Sequence, residues 1–167
     1  MVKILSINLY DYNELSKNAK AETYKNWREN EEVKGNYFWS NYVEKSFTAF
    51  AEFIGCEINT FEAYSLEYLA MSINPEKFMT YSRKEVLELA LSAFRIGYEW
   101  GITGSFTDAI FTTFTEKVLT GELPKNATPE DMKQALESVV QEYQEYIKED
   151  MEYMLSEEEF LESGDAY

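Results

Sequence analysis

A chain of 167 residues with 31 acidic and 15 basic side chains, no histidine and one cysteine carries a formal charge of −16. Such a surface repels a phosphate backbone, which argues against direct nucleic-acid binding. The missing histidine removes Ser-His-Asp and Cys-His catalysis, His-containing zinc sites and the usual general base near neutral pH. A 45% hydrophobic share with 16% aromatic residues excludes wholesale disorder, and the length fits a single domain over residues 1–167.

In chain order, "VKILSINLY" (residues 2–10) predicts a short strand by its β-branched content and near alternation, followed by the turn-like "DYN". "ELSKNAKAETYKNWREN" steps through Leu15, Ala19, Thr23 and Trp27 in fours, a helix with a narrow apolar seam that Gly35 and Asn36 are expected to break. A second helix follows in "YFWSNYVEKSFTAFAEFIG", with Trp39, Val43, Phe47, Phe50 and Ile54 on one side and Gly55 as the stop. "CEINTFEAYSLEYLAMSI" alternates Phe61 and Ala63, then Leu69, Met71 and Ile73, and reads as one long strand or a strand pair ended by "NPEKF".

Ser82 to Glu85 has capping-box spacing and opens a helix with Val86, Leu89, Ala90, Ala93, Phe94 and Gly97 on one stripe. Leu87, Leu91 and Ile96 widen that stripe, which predicts a central, mostly buried helix. "GITGS" interrupts, and "SFTD" opens another helix through Ile110, Phe111, Phe114 and Val118. Residues 120–127, "TGELPKNA", read as a linker.

The last helix, 129–155, has the clearest start: Thr128 as N-cap, Pro129 in the first turn, and Glu130 and Asp131 at the positive end of the helix dipole. Helical phase gathers Met132, Leu136, Val139, Val140, Tyr143, Ile147 and Met154 in one arc and Glu137, Glu142, Glu145, Glu149 and Glu152 in the other. Asp150 falls among the apolar positions and is expected to pair with an arginine or to mark where the helix leaves the core. Residues 127–167 hold 13 acids and 2 bases, net −11, against 18 and 13, net −5, in residues 1–126. The expected fold is α+β, a small antiparallel sheet with about five helices ending in this long acidic amphipathic one.

Three blocks carry a family resemblance. "YDYNELSKNAKAETYKNWREN", "YFWSNYVEKSFTAFAEFIGCEI" and "EYQEYIKEDMEYMLSEEEFLES" resemble the start, second block and end of a phage and prophage family labelled antitoxin-like. Glu14, Leu15, Ser16, Ala19 and Lys20 match the first block, Trp39 and Val43 the second, and Glu152, Tyr153, Ser156 and Glu158 the last. "LEYLAMSINPEKF" stands where many members have a Gly-rich "GFWSQGDG" type segment. The resemblance implies a mobile-element setting and a protein that acts on other proteins. In size and charge the chain is also similar to small acidic phage inhibitors of host defence, including anti-CRISPR proteins.

The remaining chemistry is sparse. Cys56 has no CxxC partner and reads as a buried structural thiol. Gly97, Gly101 and Gly104 lack the Lys-Ser/Thr ending of a phosphate loop and read as turn glycines. Glu157, Glu158 and Glu159 have no EF-hand spacing, and "SEEE" also has the spacing of a helix start. Trp27, Trp39 and Trp100 lie near apolar seams and read as core. No cofactor, metal or enzymatic activity is expected, and neither a signal peptide nor a membrane span is recognised, so a host-cytoplasmic protein is expected.

The expected function is therefore inhibition: binding a basic host protein, such as a CRISPR or other defence nuclease or a toxin, with nucleic-acid mimicry as one route. The candidate contact residues are Glu142, Glu145, Tyr146, Glu149, Glu152, Tyr153, Glu157 and Glu158. An antitoxin, or a homo-oligomeric accessory phage protein whose last helix packs on its copy, is the alternative, leaving monomer and homodimer both open.

Overall fold

In the computed structural model the described residues are 12–63, 69–100, 105–120, 123–156 and 160–161; within the helices, the side chains of 31–40, 96–100 and 105–108 lie outside that description. The strand expected over residues 2–10 therefore falls outside it, as do Gly101, Gly104 and Glu157 to Glu159. A 3-10 turn at Tyr12–Glu14 leads into α1 (Lys17–Phe53), followed by β1 (Ile58–Ala63), β2 (Leu69–Ile73) and a second 3-10 turn (Phe78–Thr80). Then come α2 (Arg83–Trp100), α3 (Ser105–Leu119) and α4 (Pro129–Met154). The class is α+β, with one two-stranded antiparallel sheet among the described residues.

Gly35 and Asn36 do not break the helix: α1 runs unbroken through them for 37 residues. An interior glycine costs about 1 kcal/mol relative to alanine. That penalty is small against what holds the two ends. The Ser16 hydroxyl caps the start by accepting from the Ala19 N–H at 3.3 Å. At the other end Val43, Phe47, Phe50, Ala51 and Ile54 are buried in the main core. Gly55 then ends the helix with φ of +67°, the left-handed conformation that glycine adopts without steric cost.

The alternating segment resolves as a strand pair. Phe61 lies across from Met71 and Glu62 from Ala70, with a bulge in β1 between Ile58 and Thr60. Met71 and Ile73 point into the core, and Ala70 is exposed, as period-2 alternation requires. Ser82 opens α2 with the expected box: its N–H donates to Glu85 Oε2 at 2.7 Å, and the Glu85 N–H returns to its hydroxyl at 3.3 Å.

α2 is not the central helix. Val86, Ala90 and Ala93 are buried, but Leu91 is 48% and Phe94 58% exposed. Its two small alanines form a narrow contact stripe, Leu87 and Leu89 pack only partly against the core, and Leu91 and Phe94 are left at the surface. The enclosed positions belong instead to the end of α1, to α3 through Ile110, Phe111, Phe114 and Val118, and to α4. Phe50 meets Phe111 and Phe114 edge-on, with ring centroids 5.6 and 5.4 Å apart. The linker is anchored by Leu123, which is buried in the same core.

A second, smaller cluster lies at the start of α1. Tyr12 and Phe160 are buried there, with Leu15, Tyr24 and Trp27 around them. Phe160 is fully enclosed, its ring centroid 5.2 Å from Tyr12, 5.9 Å from Tyr24 and 5.0 Å from Trp27. The Tyr24 hydroxyl donates to the Leu155 carbonyl at 2.7 Å. Chain beyond α4 is thus fastened to the first turns of α1.

A candidate binding face on the last helix

α4 forms because its sequence supplies both a start signal and a continuous stripe. The Thr128 hydroxyl accepts from the Asp131 N–H at 3.2 Å, and Asp131 Oδ2 accepts from the Thr128 N–H at 2.6 Å, a reciprocal capping box. These bonds hold the Asp131 carboxyl below the usual aspartate range. Met132, Leu136, Val139, Val140, Tyr143 and Ile147 are buried as phase predicts. The stripe then drifts to Met151 and the C-cap Leu155, both buried, and leaves Met154 40% exposed.

Tyr143 stacks on Phe47 at 6.5 Å and 6°. Burial pushes its hydroxyl pKa well up. The buried Ser46 hydroxyl is close enough to oppose that shift, although the pair does not meet hydrogen-bond geometry. α4 is also tied to the sheet, where Gln144 Nε2 donates to the Met71 carbonyl at 2.6 Å.

The opposite face holds the carboxylates, and they are not equivalent. Glu142 binds Lys117 of α3 at 2.7 Å, with the lysine side chain only 16% exposed. This carboxylate serves the α3–α4 contact, which sequence reading missed. The available signal was the position of Lys117, three residues after Phe114 and next to Val118, at the border of the buried stripe of α3. Lys133 lies 3.5 Å from Glu130 and 3.9 Å from Glu137, so both have a cation nearby.

Glu145, Glu149 and Glu152 are exposed and have no ion-pair partner among the described residues; Glu145 accepts only from Gln141 Nε2 at 3.1 Å. From first to last they are seven residue steps apart, about 10 Å of helix axis. Tyr153, four residues after Glu149 and so beside it, is 51% exposed. Tyr146 is half-buried against the main core. The sequence-predicted contact residues thus divide: Glu145, Glu149, Glu152 and Tyr153 form one surface patch, and Glu142 and Tyr146 belong in part to the packing. Glu157 and Glu158 lie outside the described residues.

Asp150 meets no arginine among the described residues. It is half-buried beside Met151, and loss of solvent raises its pKa, which fits a position where the helix leaves the core. Cys56 is half-buried rather than fully enclosed, and burial raises its thiol pKa despite the nearby Lys77, so little reactive thiolate forms at neutral pH. Among the described residues no cluster of three Cys, Asp or Glu is placed to hold a metal ion. None of the helices described is long and apolar enough to cross a membrane. No protein-family model, curated protein or solved structure matches the chain.

Proposed function

We propose that this chain is a phage-type inhibitory protein that binds a basic host protein, a defence nuclease foremost, through Glu145, Glu149, Glu152 and Tyr153 on α4. The observation that carries this reading is the set of three exposed carboxylates within two helical turns that form no ion pair among the described residues and outnumber the one lysine between them, Lys148, next to an exposed tyrosine. Desolvating such a patch is favourable only against a complementary cationic surface, and an aromatic side chain adds contact area at its edge. The resemblance of the first, second and last blocks to the phage antitoxin-like family supports the same class.

The patch is too short to imitate a duplex. Its three charges over about 10 Å compare with about one per 1.7 Å of axis in DNA. Local pairing with a few lysines or arginines on the partner is the mode it fits. A toxin would meet the same surface, and the protein acts by binding rather than by chemistry.

The test is capture from a host lysate followed by assay of the captured protein's nuclease or toxin activity with and without this chain. Inhibition that is lost at high salt and in the E145K/E149K/E152K variant is the expected result. Inhibition unaffected by both would remove the patch from the interaction. Sedimentation of the pure protein separates this reading from self-association.

A further inference from the structure

α2 carries an apolar stripe outside the core. Leu87, Leu91 and Phe94 follow one another at steps of four and three, the spacing at which two helices share a seam. Leu87 packs only partly on the core, and Leu91 and Phe94 are exposed. Charge sets this helix apart from α4. Residues 83–100 hold three acids and three bases, net zero, whereas residues 129–154 hold eight acids and two bases, net −6. Copies of a chain that carries −16 therefore meet less repulsion through α2 than through α4.

The charges beside the stripe also have an order. Glu88 and Arg95, seven positions and so two turns apart, are exposed along its outer side. Arg95 forms no ion pair among the described residues. Glu88 lies 3.6 Å from Lys84 on the same helix, through Oε1. An exposed pair of that kind contributes little, and the second carboxylate oxygen can accept from a guanidinium. A copy of α2 laid antiparallel about the middle of the stripe brings Leu91 against Phe94 of the copy and Glu88 beside Arg95 of the copy. Each contact is then made twice by the twofold axis. A parallel copy would set Arg95 level with Arg95 and lose the match.

We propose that this stripe is a self-association surface, separate from the carboxylate patch, on which two copies of the chain pair through antiparallel α2 helices. The occupant is a second copy because the apolar row and its flanking charges complement their own reversal. One helix face is a small interface, so the pair is weak, with a dissociation constant on the order of ten micromolar.

The test is sedimentation equilibrium of the full chain over concentrations that span that constant. A monomer–dimer equilibrium is expected, and Leu91→Lys should abolish it. Glu88→Arg and Arg95→Glu should each weaken it about tenfold, and the double variant should restore it. The single variants move the net charge in opposite directions, to −14 and −18, so a shared weakening reports the pair and not overall repulsion. All these side chains are exposed, and unchanged circular dichroism establishes that each variant is folded. E145K/E149K/E152K should leave the equilibrium in place. A monomer at every concentration overturns the proposal, as does a dimer that survives Leu91→Lys. Single variants that shift in opposite directions, or a double variant as weak as the singles, overturn it too. A dimer lost in E145K/E149K/E152K would place self-association on α4 and overturn it as well.

Discussion

α1 and α4 are the two longest helices, 37 and 26 residues, and they are stabilised in different ways. α4 carries one apolar stripe that stays buried from Met132 to Met151, so its packing repeats what its sequence states turn by turn. Among the described side chains, α1 buries apolar groups near its two ends. Its last three turns enter the main core, its first turns meet a small aromatic cluster, and Arg28, Glu29 and Asn30 between them are exposed. A helix gains stability chiefly from the face it buries, so α4 is held continuously and, among the described residues, α1 at two separate sites.

The largest effect that sharpens this contrast is Phe50→Ala. Phe50 is fully buried between Phe111 and Phe114, and its truncation should cost about 4 kcal/mol of global stability in denaturant unfolding. Phe160→Ala should cost less, about 3 kcal/mol, and locally. Hydrogen exchange should accelerate over the first turns of α1 with Trp27 fluorescence altered, while the amides of α3 stay protected. Equal loss of protection in both regions would show that the clusters are one cooperative unit.

Gly55→Ala should follow at about 1–2 kcal/mol, because alanine resists the positive φ there. An added Cβ would also lie 2.6 Å from Lys77 Nζ, which can swing away, and 3.2 Å from the Tyr81 hydroxyl, which is held by its bond to the Ile54 carbonyl.

The smallest effects concern pH, and they run in opposite directions on α4. Asp131 titrates below its ordinary value, so its stabilisation is present above that value and fades as pH falls through the lowered one. Asp150 titrates above its ordinary value, so its contribution is present in acid and is lost as pH rises through the raised one. Asp150→Asn should therefore raise the melting temperature slightly at neutral pH, with the gain vanishing below about pH 3.9. A loss at neutral pH would mean that its carboxylate has a stabilising partner.

These differences also explain what was legible in the sequence. The cap at Thr128, the box at Ser82, the stop at Gly55 and the buried arc of α4 are local signals, and each is realised as read except that Met151 is buried in the arc where phase predicts Met154. Gly35 and Asn36 read as a break because the local penalty was visible and the distant anchors were not. Phe160 joins Tyr24 and Trp27 across more than 130 positions, and no periodicity links them. At the candidate face, phase located the carboxylates correctly. Only packing revealed that Glu142 was committed to Lys117, a contact between two helices that neither pattern contains alone.

The two helices also offer the most direct test of the central claim, that the α4 carboxylates are a binding face and not merely a solvated one. α1 carries exposed Glu22 and Glu29, the latter paired with Lys25 at 3.8 Å. Partner binding should be measured side by side for the wild type, for E145K/E149K/E152K on α4 and for E22K/E29K on α1. The account predicts that the α4 variant loses binding by an order of magnitude or more while the α1 variant keeps most of it. Equal weakening per charge reversed would make the attraction a property of net charge alone and contradict the claim.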